Sequence, residues 1–410
     1  MRMFDIPPEG LPPVDPSAAD GWDPNQKIVI IGAGAAGLSA AYTLNYLGVP
    51  FILLEASSTC GGRVQHSEDF LGNGVALDTG AEWLHTTRDA SVLKELLLDE
   101  VDRKDAEKFI QEEIIEYLPS DLYYGNARTG GLRKNKLLKS TGLLEIEYKF
   151  RTKSWSQYFE KYFVSRVKDR TVCNAVVTEI EYSSPDTCKV ILKDGSEYVA
   201  AKVICAVPVS VLKEVDIVFK PPLPRAKQNA LAKTKMKPAL KVAIEFKERF
   251  YQKGGVFYDI GLLSSVFWLV FDYGSEREFF DALTNKDVDD KHVLSLYCSG
   301  ALAEELAGLP DDEIFSSCME KLDRMFDDQA TKHYVKHMVT NWTKVDFIRG
   351  GYSNLWHMQL MTKEFTSSLN DTVFFAGEFV GGKYGPTVHG ACLTGRRAAL
   401  NALGKEYDYK

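Results

Sequence analysis

The stretch that decides the fold runs from Lys27 to Arg63, KIVIIGAGAAGLSAAYTLNYLGVPFILLEASSTCGGR. An apolar run, a glycine turn, an amphipathic helix, a second apolar run and an acid follow one another within about thirty residues, the layout of a βαβ dinucleotide-binding unit. Gly32 permits the tight turn, Gly34 lets the backbone approach a pyrophosphate, and Gly37 lets the helix pack closely on the strand. The amides that open the helix then face the phosphates. Glu55, ending the second strand, is placed to accept hydrogen bonds from an adenosine ribose. A glycine-rich turn in an ordinary α/β domain would share the triplet alone, but here strand, spacing and acid agree.

Around this unit the chain has the composition of a soluble globular protein: 410 residues, 45% hydrophobic and 26% charged, enough for two or three domains and a large core. A net charge of -8 argues against general nucleic-acid binding, which needs a basic surface to neutralise phosphates. The basic run Arg133 to Lys139 reads as a solvated face. Seven scattered cysteines, odd in number and without a CxxC pair, suggest buried free thiols and no zinc site. No charged-then-apolar leader opens the chain, and no apolar run approaches the ~18 to 20 residues needed to span a bilayer. A reducing, cytoplasmic setting is the expectation.

Met1 to Gln26, with six prolines, reads as an extended arm. Ala76 to His85 is strand-like and broken by Gly80, and Asp89 to Tyr148 turns helical and mixed, with Val92, Leu93, Leu96, Leu97 and Val101 as one apolar stripe. Thr129 to Gly131 reads as a turn and Ser154 to Arg166 as a helix. Val172 to Pro208 reads as a β-meander whose last run, Val203 to Val207, returns to a buried sheet. Ala239 to Phe246 alternates as a strand carrying Lys241, Phe257 to Tyr273 adds aromatic strands, and Asp311 to Phe326 a helix. A strand at 373 to 377 and a helix over about 388 to 403 close the chain. His333 and His337, four apart, share a helical spacing but have no acidic third ligand near them, so a solvated helix face is expected. Nucleotide-binding pieces at both ends and in the middle imply an α/β protein in which a Rossmann-type dinucleotide-binding domain (27–90, 153–230 and 350–410) is interleaved with a mixed α+β substrate-binding domain (91–152 and 231–349), after an arm at 1–26. No Gly-x-Ser-x-Gly elbow supports hydrolysis.

Several blocks carry a resemblance: Glu55-Ala56 continuing to Gly61-Gly62-Arg63, DTGAEWLH at 78–85, KPALKVAIEFKERFY at 237–251, RGGYSNLW at 349–356, and FFAGEFVGGKYGPTVHGACLTGRRAA at 374–399. Together they resemble the flavin amine oxidases, the group of monoamine oxidases, polyamine oxidases and lysine-specific histone demethylases, with motifs nearest the polyamine oxidases. The resemblance implies FAD held noncovalently, because Gly351 stands where monoamine oxidases carry their flavin-linking cysteine. It implies that Gly32, Gly34, Gly37, Glu55, Ala56, Gly62, Arg63, Gly80 and Ala81 serve the cofactor. The Val177 amide would meet adenine, Gly377 would clear space for the ribityl chain, Glu378 would accept from its hydroxyls, and the helix opening at Val388 would aim amides at the flavin's pyrimidine edge. Lys241 would sit beside flavin N5, bridged by a water. Tyr352 and Thr387 would flank the substrate amine, with Tyr384 nearby and Trp83 beside it, while His85 and Glu82 would hold a further amine.

The chain departs from the family at Ser57 and Thr59, where an arginine is usual, and in a short section between His85 and Ser154. The activity implied is oxidation of a small-molecule amine, a polyamine or similar, to an imine by hydride transfer to flavin N5, with O₂ reduced to H₂O₂. The alternatives are an L-amino-acid oxidase, disfavoured because Glu82-Trp83 stand where such enzymes carry a carboxylate-binding arginine, and a desaturase or protoporphyrinogen-oxidase-like enzyme. A flavin-bearing scaffold without catalysis is a third reading.

Overall fold

Ile28–Ile31 is an unbroken apolar strand, which suits the middle of a parallel sheet covered on both faces. In the computed structural model of the chain it takes that place. The five-stranded sheet runs Val373–Phe375, Lys202–Cys205, Ile28–Ile31, Phe51–Leu54, Thr171–Val172, and every pairing is parallel. Strand order reverses at Ile28–Ile31, so the crevice beyond its carboxyl end is the switch point at which doubly wound sheets bind ligands. The structure describes residues 10–410 apart from 73, 85–90, 118–120, 126–131, 135–146, 185, 254, 261–275, 284, 285, 287, 289, 354–357, 408 and 410.

The helix Ala35–Tyr46 is not amphipathic, as its sequence suggested, but buried without interruption from Ala36 to Leu44. It and the closing helix Val388–Ala402 both pack on the sheet, and small residues let the two helices touch backbone to backbone. A Cβ on Gly395 would sit 2.0 Å from the carbonyl oxygen of Ala36, and one on Gly37 1.8 Å from that of Gly32. Below this layer the meander appears as expected, Val177–Glu181, Cys188–Leu192 and Glu197–Ala200 pairing antiparallel before the chain re-enters the parallel sheet at Lys202.

A seven-stranded sheet forms the other half: Tyr334–Asn341, Ala239–Phe246, His292–Ser299, Glu276–Asp281, Gly255–Ile260, Asp121–Gly125 and Leu132–Lys134. The alternation of Ala239–Phe246 predicts one wet face, yet all eight residues are buried. Leu240, Val242 and Ile244 enter a core with Ile314, Cys318 and Leu322 of the helix Asp311–Met325. Ala243 faces the other way, into a second cluster with Phe70 and Phe280. The period of two puts Lys241 on this second face.

Four expectations need correction. The arm is anchored: Leu11, Val14 and Ala18 enter the main core, and Tyr407 Oη donates to the Pro12 carbonyl at 2.9 Å. Between 89 and 148 the helices among the described residues are Ser91–Glu95 and Glu100–Glu113. Strands Ile114–Tyr117, Asp121–Gly125, Leu132–Lys134 and Glu147–Phe150 follow, the first and last in keeping with their β-branched and aromatic residues. Val92, Leu93, Leu96 and Leu97 join the core of Ile28 and Leu38, while Val101, the last residue of the expected apolar stripe, is exposed. His333 and His337 do not share a helix, because Gln329–His333 ends and the strand Tyr334–Asn341 begins between them. His337 instead stacks on Phe315 at 3.6 Å between centroids. The Thr129 to Gly131 turn, and the aromatic run beyond Ile260 as far as Tyr273, lie outside the described residues.

All seven cysteines are free, Cys60 and Cys173 half-buried and the others buried. Among the described residues no helix is long and apolar enough to cross a membrane, and no group of three or more His, Cys, Asp or Glu could hold a metal.

Candidate active site

A cavity of about 880 Å³ opens at the switch point. One end is built by strand termini: Ile31, Gly32 and Gly34 after the first strand, Leu54 and Glu55 after the second, Ala206 and Val207 after the fourth, and Gly377 and Glu378 after the fifth. Gly32 takes φ +95° in the turn, a left-handed conformation that favours glycine. No atom lies within 4 Å of where a Cβ on Gly34 would stand, so its bare backbone borders open space in the cavity. Val177 and Thr178 line this end from the meander.

Glu55 is buried and tied down. Oε2 accepts from the Ala33 amide at 2.6 Å, and Oε1 from the amide and hydroxyl of Ser57 at 2.9 and 2.8 Å. Ser57, the departure noted in the sequence, thus orients the acid. Arg63 Nη1 donates to the Gly351 carbonyl at 2.7 Å and to Glu378 Oε1 at 3.1 Å, while Ser353 Oγ donates to Glu378 Oε2 at 2.6 Å. Three distant segments are knotted here by one carboxylate. Gly80 passes so close to the Arg63 carbonyl that a Cβ would meet it at 2.0 Å, and the Ala81 amide donates to that carbonyl at 3.1 Å. Ala56 and Gly62 also line the cavity.

The other end holds the residues of the substrate expectation. Lys241, Trp83, Tyr352, Thr387 and Val388 all line the cavity. The hydroxyl of Tyr352 is buried with no hydrogen-bond partner among the described residues, an orphan donor and acceptor in a site built for another molecule. Thr387 is the N-cap of Val388–Ala402: its Oγ1 accepts from the Gly390 amide at 3.0 Å and donates to the Tyr384 carbonyl at 2.5 Å. Its hydroxyl is therefore engaged, and the residue opens the helix whose first amides have no intrahelical acceptor.

Lys241 Nζ donates to Glu82 Oε2 at 2.7 Å and to the Asp78 carbonyl at 3.2 Å, and it lies 5.1 Å from the centre of the Trp83 ring. Lys149 Nζ meets the other oxygen of Glu82 at 3.3 Å. Burial pushes the Glu82 carboxyl up, but the Lys241 and Lys149 ammonium groups outweigh it and hold the group at about 2. Asp78 goes the other way: burial raises it to about 7 against the pull of Lys286, with Glu82 adding to the rise. Lys286, buried beside them, is lowered by burial and by Lys149 to about 8.

Two of the residues expected at the substrate meet other protein groups. Glu82, expected to anchor a further amine, has both oxygens engaged by protein lysines. Tyr384, expected near the amine, is buried against Tyr409 and His389 and is absent from the cavity wall. His85 lies outside the described residues. Sequence reasoning also missed Trp342, which lines the cavity and donates from Nε1 to the Thr79 carbonyl at 2.9 Å. It missed Asp78, Lys149 and Lys286 as well. Nothing local marks Trp342, Lys149 or Lys286, because each meets the site from a distant segment, whereas Asp78 lies inside the DTGAEWLH block.

Residues 148–403 match the family profile described as flavin containing amine oxidoreductase, and residues 30–100 one described as an NAD(P)-binding Rossmann-like domain. The chain is 26% identical over 446 residues to lysine-specific histone demethylase 2 of Homo sapiens, covering 92% of this chain and 53% of that protein. It is 25% identical over 448 residues to probable polyamine oxidase 4 of Arabidopsis thaliana, covering 92% and 86% respectively. The chain thus spans about half the length of the demethylase. A solved structure of wild-type putrescine oxidase bound to putrescine superposes with a TM-score of 0.71 at 15% identity, covering 93% of this chain and 99% of the other. At that identity the likeness is one of fold.

Proposed function

The chain belongs to the flavin-containing amine oxidoreductases, and from that premise we propose that it oxidises an alkylamine of the polyamine class at a carbon bonded to nitrogen, with O₂ reduced to H₂O₂. Its cofactor is a flavin, and a dinucleotide fold joined to flavin chemistry makes that flavin FAD. Bound FAD supplies the acceptor for the hydride equivalent leaving the α-carbon and hands the electron pair to O₂.

The residues present suit that cofactor. Gly34 offers open backbone for the pyrophosphate, Glu55 is a fixed acid for the ribose, and Glu378 and Arg63 stand where the ribityl chain would pass. Two helix starts, Ala35–Tyr46 and Val388–Ala402, border the cavity, where the positive end of each helix dipole favours negative charge. No cysteine stands at Gly351, where a Cβ would already meet Ala239 at 2.5 Å, so the cofactor is held without a covalent link there.

The protein's own part is to bind and orient. The ring of Tyr352 attracts a cationic amine, and its orphan hydroxyl can take a hydrogen bond from water or substrate. Trp83, Trp342 and Tyr297 give the wall an apolar, aromatic character that excludes water around the reacting carbon. The amine must lose its ammonium proton before hydride can leave, and the imine formed is released to hydrolysis. The observation that carries the reading is that the dinucleotide end and the Lys241, Tyr352 and Thr387 end line one continuous cavity. We assign the strands of the parallel sheet and the meander to a flavin domain and the seven-stranded sheet to a substrate domain. An H₂O₂-release screen over polyamines, monoamines and amino acids tests the substrate class. Turnover of polyamines is expected, and turnover of amino acids alone would overturn it.

A further inference from the structure

Five charged side chains are buried together at the substrate end of the cavity, Glu82 and Lys241 on its wall and Asp78, Lys149 and Lys286 behind them, none more than 7% exposed. They come from four separate segments. Asp78 and Glu82 flank the turn at Gly80, and Lys149 stands on Glu147–Phe150. Lys241 comes from Ala239–Phe246, and Lys286, which donates to the Ala76 carbonyl at 3.1 Å, follows Glu276–Asp281. Burying so many charges is costly, and a carboxylate placed between two ammonium groups needs a reason beyond stability.

The geometry around Lys241 supplies one. An ammonium carries three N–H donors. Lys241 gives one to Glu82 Oε2 at 2.7 Å and one to the Asp78 carbonyl at 3.2 Å, which leaves one for the cavity it lines. The Trp83 ring covers Nζ at 5.1 Å, and the residue's register partners on the flanking strands are Tyr297 and Thr340. A lysine on a flexible four-carbon stem, left alone in an apolar wall, would swing or shed its proton. Here a carboxylate that is itself pinned by Lys149 at 3.3 Å prevents both.

We propose that Glu82 is a positioning residue: by engaging Lys241 and Lys149 together it holds Lys241 as a fixed ammonium donor on the cavity wall, so that Lys241 serves as an oriented cation and not as the base that deprotonates the amine. The inference rests on the flavin amine oxidation reading of the site. Amine oxidation places negative charge on the bound flavin, and a fixed cation on the wall of the same cavity favours that charge without reorganising. Asp78 and Lys286 share the cluster and modulate its charge, but neither bonds to Lys241 through its side chain.

The test uses the FAD-loaded protein and reads the flavin's reduction potential against pH by dye equilibration with a chemical reductant, which needs no amine. In the wild type the profile sets the baseline, carrying the flavin's own ionisation and whatever Asp78 and Lys286, held at about 7 and about 8, add to it. In Glu82→Gln an additional break should appear between about pH 7 and 10, where a lysine without its carboxylate loses its proton. Adding Lys241→Met to Glu82→Gln should abolish that additional break, and Glu82→Asp, which keeps the charge, should restore the wild-type profile. Flavin reduction by amine, followed anaerobically, should slow by roughly tenfold or more in Glu82→Gln. Because Glu82→Gln leaves two buried ammonium groups facing each other, the double variant Glu82→Gln/Lys149→Met removes one charge of each sign and should show the same break in a folded protein. The wild-type profile in both Glu82→Gln and the double variant, or an additional break that survives Lys241→Met, would overturn the proposal. If no amine reduces the wild-type flavin, the functional reading fails, while the potential measurement still decides the role of Glu82.

Discussion

Replacing Gly395 with alanine should loosen the molecule at the point where its two nucleotide-facing helices touch. A Cβ at this position would stand 2.0 Å from the Ala36 oxygen, 2.9 Å from the Ala36 carbonyl carbon and 3.1 Å from the Ala40 amide nitrogen. All three are backbone atoms of Ala35–Tyr46, so no side chain can turn aside. Clearing an ordinary contact requires the helices to part by at least about 1 Å, and overpacking of this kind costs about 2–3 kcal/mol. At about 2 °C per kcal/mol for a chain of this size, the midpoint of thermal unfolding should fall by roughly 4–6 °C. The same shift moves Gly34 and Val388, at the two helix starts, away from the cavity they line, so FAD retention should drop as well. Thermal unfolding of the FAD-free protein isolates the packing term, and flavin content after gel filtration reports the site. Gly308→Ala is the control, because its Cβ would meet nothing within 4 Å. A Gly395→Ala protein as stable as Gly308→Ala would refute the reasoning, since the backbone contact would then not be what sets the helix spacing.

The charge cluster makes a pH prediction. Asp78 is raised from 3.8 to about 7 in the folded protein, so its contribution is fully present below about pH 4 and is lost as pH rises through 7. Asp78→Asn should therefore gain stability relative to wild type on going from pH 5 to pH 8, measured by thermal unfolding, and an equal difference at both pH values would contradict it. Glu82, lowered to about 2, has the opposite sign: its stabilisation is present above about pH 4.5 and disappears only as pH falls through 2. Thr387→Ala should cost about 1 kcal/mol through loss of the N-cap, whereas Thr387→Ser, which keeps the hydroxyl, should recover most of it. If serine were as costly as alanine, the methyl and not the cap would be what matters there.

Much of this fold can be read from the chain because it is local. The glycine turn, the two strands and Glu55 lie within one βαβ unit, and the helix Val388–Ala402 begins where Thr387 can cap it. What was hidden depends on contacts between distant segments. Glu82 and Lys241 are 159 residues apart, and no spacing rule shows that one neutralises the other. Periodicity could not orient Lys241, because the strand is covered on both faces and every residue in it is buried. The His333 and His337 spacing fits a helix until Tyr334, a β-former, starts a strand between them. Tyr384 lies close in sequence to Thr387 but turns into the core with Tyr409, a partner that only the folded tail brings near.

One cavity should both hold FAD and admit an amine. Purified protein should be yellow, release FAD on acid precipitation, and lose its flavin absorbance when a polyamine is added without oxygen. Admitting O₂ should restore the colour with release of H₂O₂. A colourless protein, or a flavin that dithionite reduces and no amine does, would contradict it.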